Sequence, residues 1–120
     1  MMKLQCLNSF YTAMHTYYIS MRKTGGFRLP NLFTVSGYKI YFWSNENNEP
    51  IHVHVAKGKP IPNGTKIWLT RSGGCILASN GSNISKKELN ELMEFISAQF
   101  FLICSEWKKF FLTDEIKFYC

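Results

Sequence analysis

The chain has 120 residues, 46% hydrophobic and 16% aromatic, with 14 Lys and Arg against 8 Asp and Glu for a formal charge of +6. This length supplies one core and argues against a second domain. The longest apolar run, Phe100-Phe101-Leu102-Ile103-Cys104, is too short to span a bilayer. Most of the basic excess lies in residues 1–60, where seven Lys and Arg face two Glu; such a field favours anionic partners, nucleic acid first among them.

Residues 1–20 are rich in Tyr, Met, Thr and Ser and carry only Lys3 as a charge. They are expected to form an N-terminal extension, with the domain spanning residues 21–112 and a C-terminal tail over residues 113–120. No secretory signal is evident, because an unbroken apolar core before a small-residue cleavage site is lacking. Cys6, Cys75, Cys104 and Cys120 show no C-x-x-C spacing, which argues against a zinc ribbon or a thioredoxin-type site. The expectation is a cytoplasmic protein with reduced thiols.

Leu32-Phe33-Thr34-Val35 and Tyr38-Lys39-Ile40-Tyr41-Phe42-Trp43 flank Ser36-Gly37, a hairpin pattern. A polar turn, Ser44 to Pro50, precedes a strand over Ile51 to Ala56, and Pro50 disfavours helix at Glu49. A loop from Lys57 to Gly64 leads to a strand over Thr65 to Thr70. Gly73-Gly74 then turns the chain toward Cys75-Ile76-Leu77-Ala78. An antiparallel meander of four to five strands is predicted.

Ser85-Lys86-Lys87-Glu88 forms a capping box, with Ile84 and Leu89 available as its hydrophobic staple. Leu89, Leu92, Met93, Ile96, Phe100, Ile103, Trp107 and Phe110 then recur at three- and four-residue spacing, predicting one long C-terminal helix packed on the sheet. The fold class is α+β.

The stretch from Gly37 to Glu46, Pro50-Ile51-His52-Val53-His54-Val55, Lys66-Ile67-Trp68-Leu69 and Ser85-Lys86-Lys87-Glu88-Leu89 together resemble the bacterial family called domain of unknown function 4160, over roughly residues 25–111. The most specific element is Asn45-Glu46 followed by Pro50-x-His52-x-His54. The resemblance implies a small α+β domain, often encoded beside another small protein and suspected in toxin–antitoxin modules, with no established reaction. The first twenty residues and the tail from Thr113 to Cys120 depart from a usual member.

Alternation along a strand places His52 and His54 on one face, and three readings follow. As metal ligands they supply two imidazoles, with Glu46 or Glu49 adding an oxygen if the turn folds back; a divalent cation needs three or four ligands. As an acid–base pair, assisted by Glu46, they suit phosphodiester cleavage, with Lys57, Lys59, Lys66 and Arg71 holding phosphates. As structural residues they hydrogen-bond to Glu46, Asn45 or turn carbonyls, with Asn45 and Pro50 shaping the turn. Tyr38, Tyr41, Trp43 and Trp68 could stack bases or simply pack, and Lys86 and Lys87 place cations at a helix N-terminus. The expected role is a toxin–antitoxin-like component that binds a cognate small protein or nucleic acid, without membrane contact. The alternative is a ribonuclease-like enzyme, metal-independent or metal-assisted, using His52 and His54. Oligomeric state stays open.

Overall fold

The structure is a computed structural model that describes residues 31–44, 46 and 48–120. The expected extension over residues 1–20, the first ten residues of the domain and the role assigned to Asn45 lie outside the described residues. Five strands, β1 (Asn31–Val35), β2 (Tyr38–Tyr41), β3 (His52–Lys57), β4 (Thr65–Leu69) and β5 (Cys75–Asn80), form one sheet in the order β1-β2-β3-β4-β5. Every neighbouring pair is antiparallel.

Local chemistry explains the hairpins. Val35 pairs with Tyr38, leaving Ser36 and Gly37 as a two-residue turn with φ of 51° and 84°, the conformation that matches the strand twist. β1 slips register between Asn31 and Phe33, and β4 slips against β5 between Lys66 and Ile67; such irregularities bend a strand and increase its twist.

The pleat divides the sheet into two faces. Ile40, Val53, Val55, Ile67 and Leu69 are fully buried and form the core with Leu92, Ile96, Leu102, Ile103 and Trp107 from the helical segment. On the opposite face Tyr41 pairs with His54, His54 with Lys66, and His52 with Trp68.

The predicted single helix is two: α1 (Lys86–Ala98) and α2 (Phe100–Phe111), broken at Gln99. The Gln99 N–H is shared between the carbonyls of Phe95 and Ile96, both at 3.1 Å, while its own carbonyl accepts the Ile103 N–H at 2.9 Å. Gln99 is therefore the C-cap of α1 and the N-cap of α2, with φ of −102° and ψ of 18° outside the helical values. The break keeps both apolar stripes on the core. At the start of α1 the serine half of the capping box forms, with the Glu88 N–H donating to Ser85 Oγ at 3.3 Å, while the Glu88 carboxylate accepts from the Ser85 hydroxyl at 3.1 Å instead of from the backbone.

Residues 113–120 return to the body in extended form. The Ile51 N–H donates to the Lys117 carbonyl at 2.8 Å and the Arg71 N–H to the Cys120 carbonyl at 2.9 Å. Ile116 and Phe118 pack against the core while Lys117 and Tyr119 face outward. Among the described residues no helix is long and apolar enough to cross a membrane.

Candidate functional site

The polar turn after β2 folds back over the sheet face that carries the histidines. The Glu49 N–H closes it onto the Glu46 carbonyl at 3.2 Å. Pro50, with no N–H of its own, still presents a carbonyl, and His52 Nδ1–H donates to it at 2.7 Å. Ile51 is pinned on both sides, through its N–H to Lys117 and through its carbonyl, which accepts the Leu69 N–H at 3.1 Å. These anchors fix where β3 begins and which way its imidazoles point.

Both rings converge on one atom. His52 Nε2 lies 2.6 Å and His54 Nε2 lies 2.7 Å from Oε1 of Glu46. The ligand-capable atoms of Glu46, His52 and His54 all fall within 4.8 Å of one another. His52 is 1% and His54 5% exposed, while the Glu46 side chain keeps 19% exposure. Solvent therefore reaches the cluster from the carboxylate side.

The walls are aromatic. Tyr41 stacks on His54 with centroids 5.6 Å apart, and Trp43 meets both rings edge-on. Trp68 and Trp107 contact His52 at 5.3 and 5.5 Å. Burial pushes the His54 imidazolium down; the bond and charge of Glu46 oppose it without overcoming it, and the charges of His52 and Lys66 add to the lowering. Burial also pushes the Glu46 carboxyl up, but the bonds and charges of His52 and His54 together hold it below its ordinary value. The Tyr41 phenol is pushed up to about 12 by burial and then by the Glu46 charge. Its hydroxyl is buried and finds no hydrogen-bond partner among the described residues.

The four basic residues expected to hold phosphate do not gather. Lys66 joins the cluster: opposite His54 in register, it donates Nζ to Glu49 Oε1 at 2.6 Å and lies 4.3 Å over the Trp68 ring. Lys57 ends β3 at the other end of the sheet, with Nζ 5.5 Å over Tyr38, and Lys59 is exposed in the following loop. Arg71, beyond β4, packs 5.6 Å from Phe118. The aromatic residues considered as a base platform are largely occupied: Tyr38 and Tyr41 are buried, and Trp68 stacks on Tyr119. Lys86 and Lys87 stay exposed at the start of α1.

Two participants went unassigned in the sequence. Trp107 was visible only as part of a helical stripe. The tail had a usable signal in the alternation of Ile116 and Phe118 with Lys117 and Tyr119.

A second surface stands apart from this cluster. Among the described residues β5 is an edge strand, and its run Ile76-Leu77-Ala78-Ser79 is exposed, with Ile76 at 37% and Leu77 at 41%. No residue of β5 is charged. An open depression of about 590 Å³ lies at its start, lined by Thr70, Arg71, Ser72, Gly74, Cys75, Ile76 and Cys120.

Comparison with protein families matches the chain to the family described as Domain of unknown function (DUF4160), over residues 37–108. The matched span runs from the β1–β2 turn into α2 and encloses Glu46, His52 and His54. Comparison with curated proteins and with solved structures finds no match.

Proposed function

The chain belongs to the DUF4160 family, and from that premise we propose that it is the binding component of a two-protein, toxin–antitoxin-like module, engaging a small protein partner along β5. What carries the reading is the character of that strand. Natural edge strands are usually guarded by charges, proline or a covering element, because their unpaired N–H and C=O groups recruit other strands. β5 has neither charge nor proline, and two large apolar side chains stand exposed on it. Strand addition would supply backbone hydrogen bonds to affinity and let side chains such as Ile76 and Leu77 set specificity.

The test is binding to the protein encoded beside it, measured by titration of the two purified proteins. Leu77→Lys together with Ser79→Lys places charge on exposed positions. The double variant is expected to weaken the complex by more than tenfold with unchanged circular dichroism. Unchanged affinity would overturn the β5 assignment.

Nucleic acid is the other partner class, supported by the net charge of +6 and opposed by the dispersal of Lys57, Lys59, Lys66 and Arg71. The ribonuclease alternative draws support from Lys66, which stands opposite His54. Cleavage would require the turn bearing Glu46 to lift, because the imidazoles are otherwise covered. Growth arrest on expression, compared between wild type and the His52→Ala/His54→Ala variant with and without the neighbouring protein, separates these readings. Arrest that survives the double variant excludes the histidines as catalysts.

A further inference from the structure

The geometry points to Glu46, His52 and His54 as three ligands of a divalent cation of the zinc type, with a fourth position open to water. Two Nε2 atoms and one carboxylate oxygen converge within 4.8 Å, the His₂Glu donor set of hydrolytic zinc centres that keep a fourth position for water.

The strongest support comes from counting hydrogens at His52. The Pro50 carbonyl can only accept, so Nδ1 carries a hydrogen. In the neutral ring Nε2 then turns a bare lone pair toward Glu46 Oε1, two acceptors 2.6 Å apart. Something positive must lie between them: either a proton or a metal ion. A backbone carbonyl that fixes the tautomer of a ligand histidine is the usual outer support of a metal site. His54 brings a second ring to the same oxygen at 2.7 Å, so a single cation would satisfy both contacts.

The surroundings fit a cation with one open position. Tyr41, Trp43, Trp68 and Trp107 exclude water from the imidazole side, while Glu46 faces solvent. The Tyr41 hydroxyl is buried, within the field of the Glu46 charge and without a partner among the described residues. Metal–ligand bonds of about 2.0–2.1 Å in a tetrahedron set donor atoms roughly 3.3 Å apart. The carboxylate–imidazole contacts would therefore open by roughly 0.6 Å, and the two ring nitrogens, which lie within 4.8 Å of each other, would close toward the same spacing.

The experiment uses the full chain, expressed without an affinity tag, stripped with chelator and titrated with Zn²⁺ by calorimetry and with Co²⁺ by visible absorption. One equivalent of Zn²⁺ per chain, a rise in melting temperature on loading and the intense Co²⁺ bands of tetrahedral coordination are expected. Glu46→Gln, His52→Gln and His54→Gln should each weaken Zn²⁺ by more than roughly tenfold, with Lys59→Gln as an unaffected control. If a variant fails to fold, the wild-type Co²⁺ spectrum still decides. Octahedral Co²⁺, substoichiometric Zn²⁺ or uptake unchanged in folded variants would overturn the site and leave a proton-bridged cluster.

Discussion

The indole of Trp68 on β4 and the phenol of Tyr119 near the C-terminus stack with centroids 5.0 Å apart and planes 3° from parallel. This pair seals the tail against the sheet on the histidine-bearing face, where Trp68 also contacts His52. The tail is therefore part of the site's support.

Removing the tail should loosen β3 at its first residue. Without residues 116–120 the N–H of fully buried Ile51 loses the Lys117 carbonyl, and an unsatisfied buried donor costs about 1–3 kcal/mol. Tyr119→Ala alone should cost about 0.5–1.5 kcal/mol, the scale of an aromatic pair. Urea denaturation of the two variants measures both, and the truncated chain is expected to show the larger loss.

Acid should weaken the fold in two stages. Burial holds His54 below its ordinary 6.5, so the unfolded chain takes up the proton first, and the ring's contribution is complete above 6.5 and lost as pH falls through its folded value. Glu46 is held below 4.5, so its contribution is complete above that value and lost in stronger acid. Glu46→Gln should abolish the second stage. It should also steepen the first, because the bond that raises His54 is gone and burial acts unopposed by a carboxylate. Urea midpoints between about pH 8 and pH 3 check both parts.

Gly81 tolerates no side chain. A Cβ there would lie 1.6 Å from the Asn63 carbonyl oxygen and 3.1 Å from that of Gly64, both backbone atoms that cannot rotate aside. Gly81→Ala is expected to cost about 3 kcal/mol or more. Gly37→Ala meets open space but a φ of +84°, and should cost only about 1–2 kcal/mol. Thermal melts of the two variants should rank them in that order.

Leu112 closes α2 in the left-handed conformation, φ 52° and ψ 50°, its N–H donating to the Lys108 carbonyl, while 89% of its surface is exposed. An L-residue there costs about 1–2 kcal/mol, and glycine avoids this at about 0.5–1 kcal/mol of added chain entropy. Leu112→Gly should therefore raise stability by about 0.5–1 kcal/mol, read from the urea midpoint.

What could be read from the chain followed short-range chemistry. Ser36-Gly37 as a tight turn, Ser85 with Glu88 as a cap and the shared face of His52 and His54 all depend on residues within a few positions of one another. The break at Gln99 escaped, because the three- and four-residue spacing of Ile96, Phe100 and Ile103 continues across it. Neither glycine nor proline marks the place. The convergence of two rings on Glu46 also lay beyond periodicity, since it depends on how the Ser44–Pro50 turn folds back. The spread of the basic residues was hidden for a related reason: charge is counted along the chain, but Lys57 and Arg71 lie at opposite ends of the sheet.

Because strand order in the sheet equals strand order in the chain, each pairing closes only a short loop, and the meander can zip up hairpin by hairpin. Such local wiring lowers the entropic barrier to reaching the native state. The bond from Ile51 to Lys117 is different, for it closes a loop of more than half the chain. Seating of the C-terminal strap should come last in folding, with the histidine pocket acquiring its final walls only at that step.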